Sequence, residues 1–289
     1  MKNLTLLLAL IAFISCNSAK KKETNQVTPA NYKIELIWES DTILRTPESV
    51  LIDRERNILY VSNVNLNPWE KDGNGFISKL DMDGNITNLK WIEGLHGPKG
   101  MGISGNSLFI ANIDALVEAN IETGEIVGKI QLDGKPDLND ITVSDDGIVF
   151  VSGSSSNTIY ELKNGVLEEY FKGSDERFNG LFWEKDRMLL ITSGSSQFKE
   201  INQNTKEVKI IAENMGHGDG IAPVGDGGYL CTSWAGKIFY VSANGETTVL
   251  LDTEDLAENA ADLDYSVQNK ILYVPTFFKN QVKAYKLIY

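Results

Sequence analysis

The chain has 289 residues and a formal net charge of −13, with 40 acidic against 27 basic side chains. That balance excludes nucleic acid as a partner and excludes direct docking on an anionic lipid surface, while it suits a site that takes cations. Two cysteines, Cys16 and Cys231, are too few for a disulfide framework.

The chain opens as an export signal over residues 1–15. Lys2 supplies the positive start, and the apolar run from Leu4 to Ile14 is too short to span a bilayer. The run ends in Phe13-Ile14-Ser15-Cys16, which resembles the lipobox of bacterial lipoproteins. The resemblance implies that Cys16 is acylated and that the chain is held in a bacterial cell envelope, on the periplasmic or outer surface. An ordinary signal with an incidental cysteine is the other reading. Residues 16–31, rich in Lys, Asn and Thr, are expected to be a flexible tether. Loss of Lys2 with the signal takes the charge from −13 to −14.

Residues 32–289 carry one phrase six times: a short apolar strand, a turn, a second strand and a small residue. The second strands centre on Val61, Ile110, Val151, Ile191, Cys231 and Val274, at intervals of 49, 41, 40, 40 and 43. A period near forty made of strands and turns predicts an all-β, six-bladed β-propeller. Third strands such as Thr158-Ile159-Tyr160-Glu161-Leu162 alternate as half-buried strands do. Hairpins at Asp83-Gly84, Thr123-Gly124, Asn164-Gly165, Asn204-Thr205 and Asn244-Gly245 lead into fourth strands. The sixth blade runs out of chain after its third strand. The unassigned strand Lys33–Trp38 is therefore expected to serve as its fourth, pairing with Val282–Leu287 and closing the ring. Cys231, inside an apolar strand, is expected to be a small buried hydrophobe.

The start of each inner strand lies beside the central channel. Aligned there, one column reads Glu48, Lys99, Asn139, Asn179, Asp219 and Ala261. Asn-Gly and Asp-Gly alone would read as turns. Their shared column in an independently derived repeat points instead to a ring at one mouth. Two carboxylates and two amides offer the oxygens that hard divalent cations take. Lys99 would repel a cation unless it turns aside or pairs with Glu48 or Asp219; alternatively it orients a substrate anion or carbonyl.

The loops from second to third strands are expected to wall the same mouth. They bring Ser152 to Asn157, Ser193 to Gln197, Trp234, Phe277 and Phe278, and a long blade-one loop, Val64 to Gly75, that carries Trp69. Trp69 reads as a lid or stacking surface, or as packing on a neighbouring loop. His96 and His217 precede ring positions by three and two residues. Each reads as a proton shuttle or a solvent-facing turn residue. The chain has no Ser-His-Asp spacing, phosphate-binding glycine loop, zinc cluster or dinucleotide fingerprint.

Pro47-Glu48, Asn139-Asp140, Asn179-Gly180-Leu181-Phe182-Trp183 followed by Asp186, and His217-Gly218-Asp219-Gly220 resemble the marks of the SMP-30/gluconolactonase/LRE-like family. The resemblance covers essentially the whole domain. It implies a divalent metal, foremost Ca2+ with Zn2+, Mn2+ or Mg2+ open, held by Glu48, Asn179 and Asp219. Asn139 would touch substrate or fill out the metal's ligands, and Asp219 would double as general base. Lys99 or Asn139 would steady the oxyanion, with Trp69, Trp234 and His217 as substrate wall. The expected activity is hydrolysis of a sugar lactone or similar cyclic ester by a monomer whose only membrane attachment is its lipid. The starts of the inner strands also resemble NHL repeats, which implies the alternative of a non-catalytic, lipid-anchored ligand- or protein-binding propeller. A subunit docking other envelope proteins is a third reading.

Overall fold

A computed structural model describes residues 31–174 and 176–289. The expected signal over 1–15, the lipidation site Cys16 and all of the tether but Asn31 lie outside the described residues. The rest forms six antiparallel sheets of four strands, one per repeat. No helix among the described residues is long and apolar enough to cross a membrane.

Five sheets are built from consecutive strands, whereas the sixth takes Lys33–Glu39 as its outer strand against Val282–Ile288. The pairing runs from Lys33 opposite Ile288 to Glu39 opposite Lys283, as the closure argument expects. Tyr32 extends the seal to blade five: its ring lies 4.3 Å from that of Tyr240, and both hydroxyls donate to Asp226. The apolar core lies between neighbouring sheets. The cluster at the closure joins Leu230 and Ile238 of blade five to Leu272, Tyr285 and Leu287 of blade six. Cys231 is fully buried among such side chains, and burial pushes its thiol pKa up, so it behaves as a hydrophobe.

The inner strands explain how the ring residues reach the axis. In blades one to five they are Pro47–Asp53, Pro98–Ser104, Leu138–Val143, Phe178–Glu184 and Gly218–Pro223. Each breaks register with its neighbour where Glu48, Lys99, Asn139, Asn179 or Asp219 stands. Such a bulge bends the strand and re-aims the side chain it carries. The sixth inner strand is shorter than the repeat predicts, Asp264–Ser266, and Ala261 lies ahead of it. Ahead of it the Asp262 N–H bonds across to the Glu48 carbonyl of blade one at 3.1 Å instead of to its own sheet.

In two blades the small hydroxyl residue near the end of the second strand also has a defined task. In blade three the Ser152 hydroxyl accepts from the Asp140 N–H at 3.0 Å and donates to the Asn179 carbonyl of blade four at 2.7 Å. In blade five Thr232 does the same between the Gly220 N–H, 2.8 Å, and the Ala261 carbonyl, 2.9 Å. These hydroxyls tie one blade's bulge to the next blade's ring residue. The glycines after the ring residues are not turn residues. A Cβ at Gly180 would lie 1.9 Å from the Asp219 carbonyl oxygen, and one at Gly220 would lie 2.6 Å from Asp262 Oδ1. Only glycine lets adjacent inner strands approach this closely.

Candidate active site

The five polar ring residues line a single cavity of about 470 Å3 at one mouth of the channel. Trp69, Trp234 and His217 line it too, as do Pro68, Phe277, Phe278, Arg177 and Ser193. The second-to-third-strand loops of blades one, four, five and six therefore open on the ring face, whereas Ser152 to Asn157 of blade three, expected in the wall, do not line the cavity. His96 and Ala261 are not among the lining residues. His96 instead accepts the Gly73 N–H on Nδ1 at 3.1 Å, which helps fasten the long blade-one loop to blade two. Lys71 in that loop pairs with Asp114 of blade two. Gly97 gives room for the Pro68 carbonyl, which would stand 2.6 Å from a Cβ there. So fastened, the loop sets the Trp69 ring 4.3 Å from Lys99 Nζ, a cation–π contact.

The amide orientations follow from their partners. Asn179 Nδ2 donates to the Gly218 carbonyl at 3.1 Å, an oxygen that only accepts. Its Oδ1 is left buried with no hydrogen-bond partner. Ser154 spends its hydroxyl proton on the Phe178 carbonyl at 2.6 Å, so it must accept from Asn139 Nδ2 at 3.0 Å. Asn139 Oδ1 is the acceptor this bond leaves over.

Glu48 is buried, and its Oε2 likewise has no partner. Lys99 Nζ stands 3.8 Å from Glu48 Oε1, close enough for an ion pair and too far for a hydrogen bond. Burial, opposed by Lys99, pushes Glu48 up to about 7. Asp219 is raised well above the carboxylate range by burial first and then by Glu48 and Asp262, against the lowering influence of Lys99 and Asn179. Lys99 is pushed down by burial, and Glu48, Asp219 and Asp137 oppose that shift. Two buried carboxylates thus share one ammonium that satisfies neither, the condition under which a further cation is favoured.

The donor set fits a hard divalent cation. Glu48 Oε2 and Asn179 Oδ1 are orphaned buried acceptors, and Asp219 adds a carboxylate to the same cavity. Among the described residues no three His, Cys, Asp or Glu side chains converge. A cation here would therefore rest on two carboxylates and amide oxygens, which suits oxygen-seeking ions over zinc-type nitrogen and sulfur sites.

Several residues escape the motif reading. Arg177 stands two residues before Asn179, as His217 stands two before Asp219, so the repeat alignment carries the signal that finds it. Asp140 and Asp262 form a second tier one residue deeper. Asp140 accepts the Leu181 N–H at 2.6 Å, and Asp262 accepts the Ser49 hydroxyl at 2.6 Å. Both are bound across blades, which makes them staples of the ring.

No protein-family model and no curated protein matches the sequence. Solved structures match in fold. A gluconolactonase from Xanthomonas campestris aligns with a TM-score of 0.70 at 12% identity, covering 90% of this chain and 91% of that one. A catalytically inactive virginiamycin B lyase from Staphylococcus aureus, solved with quinupristin, aligns at 0.63 and 13%, covering 89% and 100%. A streptogramin B lyase aligns at 0.65 and 13%, covering 89% and 98%. At such identities the likeness establishes the six-bladed architecture.

Proposed function

We propose that this chain is a divalent-metal-dependent hydrolase of cyclic esters, of lactonase type, working at the Glu48–Asn179–Asp219 mouth. The observation that carries the reading is the pair of buried, unpartnered oxygens, Glu48 Oε2 and Asn179 Oδ1, in one cavity with Asp219. The fold shared with a gluconolactonase supports it. Glu48, Asn179 and Asp219 would hold the ion, with Asn139 beside them; Ca2+ suits the oxygen donors best. Bound there, the ion would supply a Lewis acid to the ester carbonyl and acidify a water molecule.

The protein's own groups supply the rest. Asp219, made more basic by burial and by Glu48, accepts the proton of the attacking water. Lys99, fixed between Glu48 and the Trp69 ring, faces the developing negative charge on the carbonyl oxygen, together with Asn139. The acyl C–O bond to the ring oxygen then breaks, and that oxygen takes back the proton Asp219 accepted and leaves as the hydroxyl of the product acid. The lipid anchor at Cys16 would hold this activity at a bacterial envelope. Cys16→Ser should release the protein into the soluble fraction, and its retention on membranes would remove the anchor.

Turnover of a lactone panel with and without divalent cations tests the reading. Asp219→Asn should keep the fold and lower turnover by roughly 10²–10⁴-fold, because an amide can ligate but cannot take a proton. Full activity in that variant would remove Asp219 as the base. No lactone or ester turnover with any divalent cation would leave the non-catalytic binding propeller as the reading.

A further inference from the structure

The mouth is divided by blade. Three consecutive blades, five, six and one, bring Trp234, Phe277, Phe278 and Trp69 into its wall. The ring centroids of Trp234, Phe277 and Phe278 lie 4.9–5.8 Å apart in edge-on contacts, so these three side chains form one preorganised surface. It stays open to water: Phe278 is 60% exposed and Trp69 38%. The ring position of blade six is Ala261, which adds no polar side-chain atom beneath it. Blades two, three and four contribute Lys99, Asn139 and Arg177 instead. Above Glu48, Asp219 and His217, the wall from blades five, six and one is therefore aromatic, whereas the wall from blades two, three and four offers hydrogen-bonding groups.

A polyhydroxylated ring placed across this cavity would find few hydrogen-bond partners on the aromatic arc and little apolar surface of its own to bury there. An apolar group placed there would release water from both surfaces. We infer that the mouth selects a lactone bearing an alkyl or aryl substituent, its carbonyl over Lys99 and Asn139 and its substituent on the aromatic arc, in preference to a sugar lactone. The inference rests on the hydrolase reading for the ester. The apolar preference itself rests on the wall.

Lactams, which resist hydrolysis, separate the two questions. With Ca2+ present, titration calorimetry would compare a pentyl-substituted δ-valerolactam with gluconolactam on the wild-type protein and on Phe278→Ala. The exposed Phe278 ring can be removed without a core cavity. Expected is at least about ten-fold tighter binding of the pentyl lactam, and a loss of several-fold in Phe278→Ala that leaves gluconolactam unchanged within about two-fold. Equal or tighter binding of gluconolactam overturns the inference, as does binding of neither lactam, or equal weakening of both in Phe278→Ala. Turnover of the matching lactones is read separately. A pentyl preference in binding without any turnover would sink the hydrolase while keeping the ligand class.

Discussion

Ser152→Ala tests the tie that holds the ring residues in place. The hydroxyl is fully buried, accepts the Asp140 N–H at 3.0 Å and donates to the Asn179 carbonyl at 2.7 Å. Removing it strands one buried donor and one buried acceptor, each costing about 1–3 kcal/mol. The sum, about 2–6 kcal/mol, is a large part of the margin of a single domain. In a domain of this size it should lower the melting temperature by roughly 5–15 °C. Urea unfolding with an unchanged slope would show that the loss is of stability and not of compactness. Calcium affinity should fall as well, because the bond released is to the backbone of Asn179. Ser156→Ala is the control. Its hydroxyl makes a 3.3 Å bond to the Gly153 carbonyl in a half-buried loop, and its loss should stay within about 0.5 kcal/mol. Equal stability of the two variants would refute the stapling argument.

Closure and charge make two further predictions. Removing residues 1–31 should leave the melting temperature within about 2 °C, whereas removing residues 1–39 deletes the outer strand of blade six together with the Trp38–Tyr273 contact and should unfold the domain at ambient temperature; equal midpoints would exclude the closure. Burial raises Glu48 from 4.5 to about 7 and Asp262 from 3.8 to about 8, so the folded chain holds these protons more tightly than the unfolded one. Their stabilisation is complete below the unfolded values and is lost as pH climbs through 7 and 8. The melting temperature of metal-free protein should therefore fall between pH 5 and 9, and Asp262→Asn, whose amide oxygen can still accept from Ser49, should flatten that fall. A midpoint that rises with pH in both proteins would contradict the assignment.

Much of this was legible in the sequence because a propeller repeats its grammar. The interval near forty between Val151, Ile191 and Cys231 gives the blades, and the stranded segment Lys33–Trp38 gives the closure. The ring column could be read because each ring residue stands 11 to 13 residues before the centre of its blade's second strand. The bulges could not, since a register shift depends on two strands and leaves no mark in either alone. Asn179-Gly180 shows the difference: by composition it is a turn, but in the fold Gly180 is where the Asp219 carbonyl passes too near for any side chain. The Ser152 hydroxyl illustrates another limit. A small polar residue after an apolar strand is visible, while its partners belong to two inner strands and are fixed only when neighbouring blades pack. The role of His96 was open for the same reason, because its acceptor nitrogen serves a loop from another blade.

The most direct test of the central claim is a crystal structure of the protein grown with Ca2+, with the ion located from its anomalous signal. Expected is one ion within about 2.3–2.6 Å of side-chain oxygens from Glu48, Asn179 and Asp219, with Lys99 still under Trp69. A mouth in which Lys99 Nζ hydrogen-bonds both carboxylates and no ion binds at millimolar Ca2+ would contradict it.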